Sequence, residues 1–75
     1  MDNTVRWGIL GTGGIARAFA LGLKHAPGAV LAAVGSRTLE GAQDFARELG
    51  IGKAYGSYEE LARADGVDII YVATP

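Results

Sequence analysis

The sequence of 75 residues predicts an α/β fold, a parallel sheet built from alternating strands and helices. Two observations carry that expectation. Apolar runs of strand length recur along the chain, and the segments between them place apolar residues at helical spacing. Strands and helices that alternate in this way form βαβ units, whose strands run parallel. Length sets the scale: a chain this short buries only about 60% of the surface it exposes when unfolded, so it forms one small core.

The elements follow in order. Val5 to Leu10 is a bulky run closed by glycine and reads as the first strand. From Gly13 to about Ala26, the residues Ile15, Ala16, Phe19, Ala20 and Leu23 fall on one helical face, and Pro27-Gly28 stops the helix. Ala29 to Val34 is uncharged, as strands covered on both faces tend to be. Thr38 suits the N-cap of a second helix with the stripe Leu39, Ala42, Phe45, Ala46 and Leu49, and Gly50 ends it. Lys53 to Tyr55 reads as a short edge strand. Ser57 and Glu60 stand in the reciprocal positions of a capping box, opening a short helix through Ala64. After the Asp65-Gly66 turn, Ile69 to Ala73 is the most strand-like run, and Thr74-Pro75 closes it. The order β-α-β-α-β-α-β, doubly wound, predicts strands in the spatial order 3-2-1-4. It carries the chain one strand past the point where that order reverses, where such folds bind ligands.

Composition excludes several classes. There is no cysteine, hence neither a disulfide framework nor a thiolate metal site, and a reducing, cytoplasmic setting is expected. The first residues are acidic-polar rather than basic, unlike a secretory leader. Charges or glycines interrupt every apolar run well short of the roughly 20 residues a membrane span needs. Between Asn3 and Leu39 the chain has four basic residues and no acid, whereas Glu40 to Pro75 has seven acids against three bases. A positive first half suits a small anion, and it is too sparse for nucleic acid. No metal site is expected.

The chemistry lies in Gly11-Thr12-Gly13-Gly14-Ile15-Ala16, a Gly-x-Gly-x-x-Gly/Ala match. Alone it is a weak signal in a glycine-rich chain. Here it directly follows a strand, opens a helix and sits in a βαβ unit of about 30 residues, the context a dinucleotide site requires. Gly11 permits the tight turn, Gly13 leaves room for a pyrophosphate against the backbone, and Ala16 lets the helix pack closely on the sheet. The N–H groups near Gly13, Gly14 and Ile15 then meet the phosphates, aided by the helix dipole. The fold expected is therefore the first half of a Rossmann-type domain, spanning residues 1–75. A P-loop is excluded because Gly-Lys-Ser/Thr does not occur. Adenosylmethionine sites usually place an acid after the second strand, and none is available. The longer glycine spacing of short-chain dehydrogenases does not fit.

In NAD-selective folds a carboxylate about 20 residues past the glycines binds the adenosine ribose. Gly35-Ser36-Arg37 holds that place, and no acid lies between Asn3 and Leu39 to substitute. Ser36 can donate to a phosphate and Arg37 offers a permanently charged fork. The pattern points to a 2′-phosphate, hence NADP rather than NAD. The competing reading of Arg37 is a solvated residue at a helix entry.

Four stretches together resemble the N-terminal region of the glucose–fructose oxidoreductase, inositol dehydrogenase and rhizopine-catabolism (Gfo/Idh/MocA) family. They are Arg6 to Ala16, Ala33 to Arg37, Ala54 to Leu61 and Val67 to Pro75. The pattern is nearest to the NADP-dependent dihydrodiol and xylose dehydrogenases. The resemblance implies a dehydrogenase that moves hydride between a nicotinamide and a sugar, cyclitol or diol. It implies that Thr12, Gly14 and Ile15 touch the pyrophosphate, Ser36 and Arg37 the ribose phosphate, and Ala73, Thr74 and Pro75 the middle of the cofactor. The family's Glu-Lys-Pro segment, its later histidine and its substrate domain have no counterpart in these residues, so no catalytic residue is assigned and no turnover is expected. His25, the only histidine, reads as a surface residue at a helix C-terminus, and Tyr55, Tyr58 and Tyr71 as packing residues. The alternative is a nucleotide-binding or self-associating module without chemistry. Ile69 to Ala73, apolar on both faces, would form an open edge through which two copies could pair.

Overall fold

The computed structural model describes residues 4–74, so that Pro75 lies outside the described residues. The elements are β1 (Val5–Leu10), α1 (Gly14–Leu23), β2 (Ala29–Gly35), α2 (Leu39–Leu49), β3 (Lys53–Tyr55), α3 (Tyr58–Ala62) and β4 (Ile69–Val72). The strands form one parallel sheet in the order β3-β2-β1-β4, as the sequence predicts. β1 is therefore central, with β2 on one side and β4 on the other.

Alternation along β1 divides the packing between two faces. Ile9, opposite Val34 of β2, enters a core with Ala16 and Ala20 of α1 and Ala42, Phe45, Ala46 and Leu49 of α2. Four of these helical residues are alanine, which lets both helices lie close to the sheet. Gly8 and Gly35 belong to the other face, where α3 crosses. A Cβ on Gly8 would stand 3.2 Å from Leu61, and one on Gly35 would stand 3.0 Å from it. Leu61 is fully buried over these two glycines. Phe19 of α1 stacks on Tyr71 of β4 at 3.9 Å between ring centres and meets Trp7 of β1 edge-on at 5.2 Å. Tyr71 is thus a packing residue, as expected. The helices of the first face are also tied by the Arg17–Glu48 ion pair, with the Arg17 guanidinium over the Phe45 ring.

The ends of the elements show which local signals prevail. Helix α1 stops at Leu23, short of the expected Ala26. His25 and Ala26 donate to Gly22 and Leu23 in tightened turns, because the residue before Pro27 disfavours helical backbone. His25 therefore lies beyond the last helical turn, and its backbone N–H, not its ring, meets the helix end. Strand β2 runs one residue further than expected, to Gly35, and β4 ends at Val72, although Ala73 N–H still donates to Leu10. Helix α2 keeps its expected limits. Thr38 accepts from the Gly41 N–H, and Gly50 adopts φ 71°, while Ile51 donates back to Ala46. At α3, Ser57 accepts from the Glu60 N–H, but its hydroxyl meets the Glu60 carboxylate directly. The reciprocal half of the capping box is replaced by a side-chain pair, and the helix ends two residues early, at Ala62.

β4 is anchored where it enters the sheet. Arg6 and Asp68 exchange backbone hydrogen bonds with one another's main chain and side chain, and the Arg6 guanidinium grips the Asp68 carboxylate at 2.8 and 3.1 Å. These bonds lower the Asp68 carboxyl from its ordinary 3.8 to about 2, the Arg6 side chain contributing most and its backbone N–H next.

Two predictions follow from this packing. Leu61→Ala is expected to destabilise the chain by about 2–5 kcal/mol, read as a lowered denaturant midpoint. A carboxylate whose pKa falls on folding stabilises the fold above its unfolded value and ceases to do so as pH drops through its folded one. Asp68→Asn should accordingly be less stable than the parent at pH 5 and above, and the gap should close between pH 3.8 and about 2. Acid titrations of both proteins, followed by circular dichroism, would show whether it closes there.

Candidate functional site

Because every strand runs the same way, the carboxyl ends of β1, β2, β3 and β4 all emerge at one edge of the sheet. Three backbone hydrogen bonds hold the emerging segments together. Gly11 N–H donates to Gly35 at 2.8 Å, Ala73 N–H to Leu10 at 2.9 Å and Ser36 N–H to Tyr55 at 3.1 Å. Above them opens a cavity of about 900 Å³, of the size that holds a cofactor. Thr12, Gly13, Gly14 and Ile15 form one part of its wall together with Gly11, Ser36 and Arg37 another, and Ala73 and Thr74 a third. The structure thus gathers Gly11 to Ile15, Ser36, Arg37, Ala73 and Thr74 around one space, while Ala16 of the same motif packs in the core. Pro75 falls outside the described residues.

The glycines of the loop have different causes. Gly11 has φ 120°, a conformation that side chains rarely adopt, and a Cβ there would stand 3.1 Å from the Ala73 carbonyl oxygen. Its requirement comes from the fold itself. Gly13 has φ −85° and ψ −167°, ordinary extended backbone open to any residue. A Cβ on Gly13 or on Gly14 would meet no atom within 4 Å. Neither backbone strain nor protein packing asks for glycine at these positions, and a side chain added there would enter the cavity wall instead.

The N-terminus of α1 is open as well. No side chain caps it and no acid lies in its first turn, whereas α2 and α3 are capped by Thr38 and Ser57. The first N–H groups of a helix carry partial positive charge. A helix start that no side chain caps, with glycine at its cap and first position, can receive an anion at the backbone. Arg37 adds a full positive charge to the same cavity and, among the described residues, makes no ion pair.

Sequence reasoning missed one wall. Gly56 and Ser57 of the β3–α3 connection and Tyr58 and Glu59 of the first turn of α3 also line the cavity, as does Leu10. The search for an acid followed β2 alone, yet Glu59 brings a carboxylate to the cavity from the neighbouring strand's end. The signal was available, because in a parallel sheet the loop after β3 emerges beside the loop after β2. Gly56 sits against α2: a Cβ there would stand 3.2 Å from the Leu39 backbone nitrogen.

Comparison with known proteins agrees with this architecture. The sequence profile described as an oxidoreductase family with an NAD-binding Rossmann fold (GFO_IDH_MocA) matches residues 5–75. The mouse trans-1,2-dihydrobenzene-1,2-diol dehydrogenase is 44% identical over 72 residues, which cover 93% of this chain and 22% of that protein. Myo-inositol dehydrogenase from Lactobacillus casei, solved with NAD(H) and myo-inositol, superposes with a TM-score of 0.85 at 27% identity over 95% of this chain and 22% of that one. A 3-ketoreductase from Actinomadura kijaniata, solved with TDP-benzene and NADP, superposes with a TM-score of 0.87 at 30% identity, covering 96% and 23%. The chain spans about a fifth of the length of the relatives it matches. It belongs to the Gfo/Idh/MocA oxidoreductase family, and residues 5–75 match that family's NAD-binding Rossmann fold.

Proposed function

We propose that the cavity binds NADP(H), and that the chain is the cofactor-binding part of an oxidoreductase acting on a sugar, cyclitol or diol. The observation that carries the reading is the open space at Gly13 and Gly14, the cap and first residue of a helix start that no side chain caps. The pyrophosphate would lie against Gly11 to Ile15, with Ala73 and Thr74 (and Pro75, by the family resemblance) beside the middle of the cofactor. Ser36 and Arg37 would take a phosphate on the adenosine ribose. Bound nicotinamide would supply the hydride exchanged with a carbinol carbon of the substrate. The substrate wall and the proton-transferring groups are assigned to a part of the protein beyond residues 1–75, so this chain alone should bind cofactor without turning it over. A cytoplasmic location belongs to the same proposal, since a cysteine-free sequence suits a reducing compartment.

NAD is the second reading, favoured by Glu59, a carboxylate on the cavity wall that could accept from ribose hydroxyls. Titration of both cofactors separates the two. NADP should bind more tightly, and Arg37→Ala should weaken NADP by roughly 10- to 100-fold, the loss of a charge-assisted phosphate contact, while leaving NAD nearly unchanged. Equal affinities in the parent would overturn the Ser36–Arg37 argument, and tighter NAD binding would establish the second reading. Gly13→Val provides the control on the cradle. It should abolish binding of both cofactors while the chain still melts cooperatively, because a Cβ there would meet no atom within 4 Å and the change at the N-cap costs only about 1 kcal/mol.

Self-association is proposed through β4. Its outer edge is unpaired among the described residues, it contains no charge or proline, and Ile69 and Val72 are 44% and 57% exposed. Such an edge favours pairing with a second copy. Light scattering should reveal dimers at high micromolar concentration, and a strict monomer there would rule the pairing out.

A further inference from the structure

We infer that Tyr58 is the stacking wall for the adenine base, held in place by the close contact of Gly56 with the start of α2. The inference rests on the dinucleotide reading of the cavity and adds to it the residue that seats the base.

The cavity is electrically lopsided. The α1 start and Arg37 supply positive charge on two parts of its wall, whereas the β3–α3 part carries Glu59. Phosphates are attracted to the former and repelled by the latter. An uncharged group with donor hydrogens fits the Glu59 side, and the adenine ring with its exocyclic amine is such a group. Tyr58 presents an aromatic ring at that same wall, 49% exposed. Among the described residues it makes no ring contact and no side-chain hydrogen bond, unlike Tyr71, which is stacked on Phe19. Ser57 caps α3 through Glu60, so helix capping does not require Tyr58 either. A half-exposed ring that no other aromatic ring engages, on the wall of a cavity, is what base stacking requires.

Position follows from two contacts. Ser36 N–H donates to Tyr55, and Gly56 lies so close to Leu39 that a Cβ would stand 3.2 Å from its backbone nitrogen. The segments that carry Arg37 and Tyr58 are therefore held side by side at the carboxyl edge of β2 and β3. A planar guanidinium and a planar ring on adjoining walls can both meet one purine, and aromatic stacking on a base is tolerant of its substituents.

The test uses the full chain with NADP and NAD, measured by calorimetry. Tyr58→Ala should weaken both by the same factor, about 5- to 100-fold, leaving the NADP-to-NAD ratio unchanged. Tyr58→Phe, which keeps the ring, should bind within about threefold of the parent. In proton spectra of the complex, the adenine H2 and H8 signals should move upfield with the parent and with Tyr58→Phe, and should not move with Tyr58→Leu. Thermal melting of each variant verifies folding. A parent that binds neither cofactor would overturn the dinucleotide reading itself. A parent that binds, with Tyr58→Ala unchanged in affinity or the adenine signals unshifted, would overturn only the assignment of Tyr58.

Discussion

The site depends on how closely backbones approach one another at the carboxyl edge of the sheet. Three glycines, each with a different neighbour, make that approach feasible. Gly11 lies against the Ala73 carbonyl, Gly35 beneath Leu61 and Gly56 against Leu39. Each contact is closer than a Cβ normally tolerates, and each draws one emerging segment onto the next. Gly11 joins β1 to β4, Gly35 lets α3 settle on β2, and Gly56 joins the β3 exit to α2. The cavity is the space left over once those segments are packed. Its walls are consequently fixed by main chain, whose position is far better determined than that of long side chains.

Gly13 and Gly14 are the complement of this arrangement. They have no close neighbour, and Gly13 has ordinary dihedral angles, so neither packing nor backbone strain gives a reason for them. The helix they open has no side-chain cap although Thr38 and Ser57 show that this sequence readily supplies caps elsewhere. A missing cap leaves N–H groups without a protein partner, a modest cost to stability that an anion can offset. Residues that the fold explains and residues that it does not are thus interleaved within one short loop. This interleaving is the physical content of the glycine fingerprint.

Most of the architecture was legible in the sequence because each local signal agreed with the global one. The apolar runs defined four strands, Thr38 and Gly50 bounded α2 to the residue, and the strand order followed from topology rules alone. The errors arose where two signals competed. At α1 the helix was expected to run past its apolar stripe to about Ala26, but Pro27 acts on the residue before it and the helix yielded at Leu23. At α3 the spacing of Ser57 and Glu60 announced a reciprocal box, whereas the hydroxyl and carboxylate satisfied each other first. The site was half legible. Residues adjacent to the glycine motif and to the end of β2 were found by offset along the chain. Tyr58 and Glu59 reach the same cavity from a strand that is distant in sequence and neighbouring in space, which no offset could reveal.

Charge illustrates the same difference between chain and space. Four basic residues without an acid, from Asn3 to Leu39, suggested a positive surface for an anion. Folding distributes them otherwise. Arg6 is engaged by Asp68 and Arg17 by Glu48, each drawing an acid from the second half of the chain, and Lys24 lies just past the far end of α1. Of the four, Arg37 lines the cavity. The local field there is thus made by one guanidinium and one helix start, with Glu59 opposing them, and it has a direction as well as a sign. The adenosine half of a dinucleotide, with its phosphates on one side and its uncharged base on the other, fits such a gradient in one orientation only. Selection of orientation, more than attraction of negative charge in general, is what this distribution of charges provides.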